Sequence, residues 1–213
     1  MVQGTTGEII EGLWRFEALH PEWTEDEGGD EDGWEQQVAW WAIATPRGLV
    51  LIDPLVDDWE ALDQLAADRG GCAAIVRTCH WHQRSVSDVA SRYSAEVWAK
   101  QHRDGRVPDA FDRSISDRDE LFDELRVVDL ERADEIALWL PRQTALVFGD
   151  AMLRTRAGDL RVCPESWTQP ECGPARLRAL LRALRVLPVE HVLVSHGPLV
   201  LGGGGASLRT ATS

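Results

Sequence analysis

Short apolar runs, several of them ending in a polar motif, set the strongest limit on how this chain folds. VAWWAIA (38–44), LVLID (49–53), AAIVRT (73–78), EIALWLP (135–141), ALVFGD (145–150) and HVLVSHG (191–197) are too short for buried helices. Most are rich in β-branched residues and bounded by turn signals, so they read as strands. AEVWA (95–99) and RVVDL (126–130) read the same way. Helix patterns lie between them. Asp57 or Asp58 can cap a helix whose apolar face is Trp59, Leu62, Leu65 and Ala66. Ser85-x-x-Asp88 is a capping signal ahead of Val86, Val89 and Tyr93. Gly173-Pro174 opens a third helix, with Leu177, Leu180, Leu181, Leu184 and Leu187 in one stripe. Strands precede helices in both halves and no linker divides them. The expectation is one α/β (α+β) domain over 1–213, with a glycine-rich tail at 202–213 that frays.

Charge narrows the partners. The formal net charge is −14, from 36 acids against 22 bases, which suits neither nucleic acid nor an anionic membrane. No apolar run approaches the roughly 20 residues that span a bilayer, and the N-terminus has no signal-peptide pattern, so a cytoplasmic protein is expected. The acidity is local: Glu22, Glu25, Asp26, Glu27, Asp30, Glu31, Asp32 and Glu35 fall in one segment with no base. With glycines at 28, 29 and 33 it reads as a solvated loop, its ends pinned by Trp23 and Trp34, or as a lid or a site for a cationic partner. The four cysteines form no C-x-x-C pair and read as reduced, mostly buried thiols. Residue alternation makes Cys79 a small core residue turned away from its neighbouring histidine.

Three motifs fall just past strand ends: His80-Trp81-His82, Gly149-Asp150 and Ser195-His196-Gly197. Two histidines one residue apart can face one cation if the turn is tight. A carboxylate and another imidazole from other strands would complete a set suited to zinc. No G-x-S-x-G elbow, P-loop or Rossmann fingerprint competes with this reading.

The succession LVLIDP, TCHWHQRS, LVFGD and LVSHG, spanning about 38–197, resembles the metallo-β-lactamase superfamily. That resemblance implies a four-layer αββα sandwich with a metal site at one edge, and the signature H-x-H-x-D-H. It implies His80 and His82 as the first two ligands, Asp150 as the bridging carboxylate, His196 as the last histidine, and Asp53 as a supporting residue. Glu131, or Glu135 in a neighbouring register, stands where the third histidine belongs. The signature's aspartate is replaced by Arg84 and its last histidine by Ser85. A guanidinium cannot ligate a metal. Arg84 is therefore expected to pair with Asp150 and bind an oxyanion or substrate anion, and Ser85 to cap a helix.

These readings imply a divergent hydrolase with at most one divalent metal, zinc by preference, in which Asp150 and Arg84 do the catalysis. The substrate would be a small-molecule ester, thioester, amide or phosphodiester. The alternative is a metal-free binding or scaffold protein on the same fold, meeting a cationic partner through 22–35.

Overall fold

The computed structural model describes residues 7–28, 33–101, 111–132, 135–154, 158–168, 170 and 172–213. The first sheet is built from β1 (Gly7–Ile10), β2 (Leu13–Leu19), β3 (Gln37–Thr45), β4 (Gly48–Ile52), β5 (Cys72–Arg77), β6 (Glu96–Ala99) and β7 (Arg113–Ser114), in that spatial order. Pairing is antiparallel from β1 to β4 and parallel from β4 to β7. The second half supplies β8 (Glu120–Leu121), β9 (Leu125–Asp129), β10 (Ile136–Leu140), β11 (Ala145–Phe148), β12 (Met152–Arg154), β13 (Leu160–Val162), β14 (His191–Val194) and β15 (Val200–Leu201). Six of these form the order β15-β14-β11-β10-β9-β8, with β11 and β14 parallel, while β12 and β13 make a separate hairpin.

The period-two alternation of strand side chains places each layer. On β4, Val50 and Ile52 face the second sheet and pack with Val127, Leu138 and Val147. Leu49 and Leu51 face the other way, onto α1 (Trp59–Asp68) and α2 (Val86–Tyr93), through Leu62, Ala66, Val86 and Val89. On the second sheet Trp139, Leu146 and Phe148 pack against Leu177 and Leu181 of α3 (Pro174–Ala183) and Leu208 of α4 (Gly204–Ala211). The layers are helix, sheet, sheet, helix. Among the described residues no helix is long and apolar enough to cross a membrane.

Local signals behave unevenly. Asp58 caps α1, its Oδ1 accepting the Ala61 N–H at 3.0 Å. Ser85 precedes α2 but its hydroxyl makes no cap; Oγ accepts the Val56 N–H at 2.9 Å and ties the loop after β4 to the helix start. The glycine-rich tail does not fray: it carries α4. Gly204 donates to Glu190 O at 2.9 Å, and a Cβ at that position would stand 2.9 Å from the Glu190 backbone. The glycines there permit close packing rather than looseness, and Leu208 completes the core. The strands β1 and β2 had no clear sequence signal.

Candidate active site

Parallel pairing assembles the site. β4 and β5 run side by side, so Asp53 and Thr78 emerge together; β11 and β14 do the same for Asp150 and His196. The two sheets are stitched at this end by Ala39 N–H to Ser195 O (2.8 Å) and Ile136 N–H to Thr78 O (2.8 Å). Asp53 adopts a left-handed conformation (φ 51°), and its Oδ1 accepts the Thr78 N–H at 2.7 Å.

His82 lies at the centre. Its Nδ1 is 2.8 Å from Asp53 Oδ2 and its Nε2 is 3.1 Å from Asp150 Oδ1. The same Asp150 oxygen is 3.0 Å from His196 Nε2, while Oδ2 accepts the Trp81 indole N–H. All four ionisable side chains are buried. Burial opposes the charge on Asp150, but His82 and His196 overcome it and hold the carboxyl well below its usual range. Burial also works against charge on Asp53, which His82, Arg84 and Thr78 keep low. For His82, burial and Arg84 pull the pKa down, and Cys79, Asp150 and Asp53 outweigh them, leaving it well above the ordinary histidine value. Burial lowers His196.

Among the described residues, one group of potential ligands brings three donor atoms within 4.8 Å of one another: Cys79, His82 and Asp150. Cys79 Sγ is 3.9 Å from Asp150 Oδ2, and burial pushes its thiol up to about 12. Cys79 is buried, as expected of a small core residue, and His80 is not in its group; what alternation did not indicate is that the turns after β5 bring its sulfur beside Asp150 and His82.

His80 is outside this group and does not line the pocket; its ring stands edge-on to Trp81 at 4.1 Å. Trp81 takes the place beside Asp150. Glu131 is also elsewhere: a left-handed residue (φ 54°), it forms a surface ion pair with Arg176. Glu135 is buried close to Asp150 but spends both oxygens, Oε1 on the Asp150 and Ala151 N–H groups (2.8 and 2.7 Å) and Oε2 on Arg132. Arg84 does not pair with Asp150. Its Nη1 donates to Asp53 O (3.1 Å) and Ala39 O (3.3 Å), and Nη2 lies 3.2 Å from His82 Nε2.

A cavity of about 440 Å³ opens over these groups, walled by Trp34, Trp81, Trp167, His20, Arg84 and Arg132, with Glu22, Ser166 and Thr168 also lining it. Trp34 and Trp167 meet the His196 ring edge-on at 4.8 and 5.6 Å. Trp23 Nε1 donates to Trp34 O at 2.9 Å, so the base of the acidic 22–35 segment is clasped beside the cavity. Residues 29–32 lie outside the described residues. A larger hollow of about 710 Å³ runs between β1 and β15 past Arg15, Glu17 and Leu199; of the motif residues it meets Gly197, and Asp53, His82, Asp150 and His196 do not line it. Trp34, Trp167, Arg132 and His20 were not foreseen as pocket residues; the high tryptophan count was the one trace of the first two, and Arg132 and His20 had none.

The family model described as the metallo-beta-lactamase superfamily matches residues 34–212. The chain belongs to that superfamily. Among curated proteins none matches it. The superfamily fold is shared with TTHA1623, solved in a di-iron-bound form, at 25% identity over 83% of this chain and 94% of that one (TM-score 0.62). A metallo-beta-lactamase from Pontibacter korlensis aligns over 99% of both chains at 15% identity (TM-score 0.69), and DIM-1 metallo-beta-lactamase over 98% and 96% at 13% (TM-score 0.70). The site centres on Asp150 and His196, which lie 3.0 Å apart. Beside them it sets a thiol, one histidine, an indole and a guanidinium.

The donor set fits a divalent metal. Cys79, His82 and Asp150 are sulfur, nitrogen and oxygen donors suited to a divalent transition ion, and Asp53 behind His82 is the outer carboxylate that such a ligand requires. A second ion would have to displace the fixed charge of Arg84 from beside His82.

Proposed function

We propose that this protein is a metal-dependent hydrolase that works with a single divalent ion, zinc by preference. Its substrate is a small-molecule ester, thioester, amide or phosphodiester. The observation that carries this reading is the Cys79–His82–Asp150 group with Asp53 behind the histidine, of which His82 and Asp150 line the cavity. Its superfamily, whose members are generally metal-dependent hydrolases, supports it. Cys79, His82 and Asp150 would hold the ion, with His196, 3.0 Å from Asp150, as the further ligand or the group that orients water. When bound, the ion supplies Lewis acidity and lowers the pKa of water to about 7. His80 and Glu131 have no part in this set.

The chain's own residues do the rest. Asp53 holds His82 through Nδ1 and so directs Nε2 toward Asp150. Arg84, half-buried on the cavity wall, places positive charge where an oxyanion develops. The tryptophan walls limit water and present flat apolar surface to the substrate. The four cysteines form no disulfide with one another, which accords with a reducing, cytoplasmic setting, and the acidic segment at the rim accords with a cationic partner or substrate group.

A metal-free binding protein is the second reading. It is favoured by the hydrogen bonds that already satisfy Asp150 and by Arg84 beside His82. Elemental analysis separates the two. Protein purified without chelator and reconstituted with zinc should hold close to one equivalent, lost in His82→Ala and Asp150→Asn and kept in His80→Ala. Less than about a tenth of an equivalent in the wild type would leave only the binding reading.

A further inference from the structure

Arg132 and Glu135 take no part in the ligand set, yet both lie in the interior, 1% and 0% exposed. They form an ion pair with each other. Glu135 Oε1 accepts the N–H groups of Asp150 (2.8 Å) and Ala151 (2.7 Å), which fixes the backbone of the site carboxylate. Gly149 is required for this approach: a Cβ there would stand 3.2 Å from Glu135 Oε1 and 2.5 Å from Thr78 Oγ1. On the other side, Arg132 Nη2 donates to Trp167 O at 2.9 Å, and its guanidinium lies 5.2 Å from the centre of the Trp81 ring. Trp81 in turn donates to Asp150 Oδ2, and Trp167 packs against His196.

These contacts close a loop around one carboxylate. Glu135 holds Asp150 by its backbone; Arg132 holds the indole that grips its side chain, and the tryptophan that walls its partner histidine. A buried ion pair is poor evidence of stability, because a well-packed apolar replacement is often as stable or more so. What it confers is a fixed arrangement, and this one is fixed on the site.

We propose that the Arg132–Glu135 pair is the positioning device of the active site, setting the orientation of the Asp150 carboxylate and of the Trp81 and Trp167 walls. The inference rests on the hydrolase reading only in taking Asp150 as the functional carboxylate.

The test is Arg132→Met with Glu135→Gln in one chain, which leaves no unpaired buried charge and keeps an acceptor for the two N–H groups. Its readouts are hydrogen exchange of the Trp81 indole N–H by NMR, assigned with Trp81→Phe, and zinc affinity by chelator competition. The expected result is a folded variant whose indole N–H exchanges at least about tenfold faster, with zinc binding weakened about 10- to 100-fold. Exchange and affinity both within twofold of wild type would overturn the proposal. If the double variant does not fold, Trp81→Phe alone decides: it removes the grip on Asp150 and should weaken zinc binding several-fold, and unchanged affinity counts against the device. If the wild type binds no zinc, the hydrolase reading fails while indole exchange still tests the positioning role. In that case Arg132→Lys, which keeps the charge without the planar fork, should exchange at an intermediate rate, and wild-type protection in it would overturn the proposal.

Discussion

Asp53 Oδ2 lies 2.8 Å from His82 Nδ1, with both side chains buried. A carboxylate in this position selects the ring orientation and leaves Nε2 for the cavity side, where Asp150 waits at 3.1 Å. Replacing Asp53 by Asn should retain the fold yet weaken zinc binding about 10- to 100-fold, read by competition with a chromophoric chelator. An unchanged dissociation constant would show that His82 needs no such support.

Metal binding should release protons. His82 is held protonated by its anionic neighbours against burial and Arg84, and the Cys79 thiol is pushed up to about 12 by burial. Ligation requires neutral imidazole and thiolate, so affinity should rise with pH through neutrality. Calorimetry in buffers of different ionisation enthalpy should give two protons released per zinc at neutral pH, falling to one in Cys79→Ser. No proton release would remove both residues from the ligand set.

The metal-free protein has a definite pH signature as well. The folded pKa of His82 is raised, so its contribution is complete below the unfolded value of about 6.5 and is lost as pH rises through the folded value. Asp150 and Asp53 are lowered, so theirs is present above about 4 and is lost as pH falls through their folded values. Chelated protein should therefore be most stable between mildly acidic and neutral pH. In His82→Gln the decline on the alkaline side should flatten, as followed by urea unfolding.

Arg84 should pull in opposite directions on binding and turnover. Its guanidinium is 3.2 Å from His82 Nε2 and raises the cost of placing another cation there. Arg84→Gln should tighten zinc binding several-fold and slow hydrolysis of p-nitrophenyl esters or a phosphodiester analogue at least about tenfold. Weaker zinc binding together with faster turnover would contradict both roles.

The C-terminal helix tests the packing. Leu208 is wholly buried against the second sheet, so Leu208→Ala should cost about 2–4 kcal/mol by chemical denaturation. A cost below about 0.5 kcal/mol would mean that the tail does not contribute to the core.

By itself the sequence determined the α/β class and the faces that its strands and helices bury; the four-layer order followed from the family resemblance. The apolar runs between 38 and 197 are strands where their composition says so, and the stripes on α1 and α3 face the sheets, because one-dimensional periodicity directly encodes which face is buried. It also singled out Asp53, His82, Asp150 and His196 at strand ends, and these four side chains meet in the fold. Which side chains enter the site was decided only in three dimensions. After β5 the chain passes through turns, where side-chain direction follows local backbone angles and not a period; Cys79 and Trp81 therefore face Asp150 while His80 does not. Glu135 and Arg84 carry charges that can be read in sequence, but their partners are set by long-range packing: two amide groups and Arg132 for one, two carbonyls and His82 for the other. The acidic 22–35 segment is apparent from composition, but its attachment beside the cavity depends on the Trp23–Trp34 clasp and on the packing of Trp34 against His196, a contact across 162 residues of chain that no local pattern specifies.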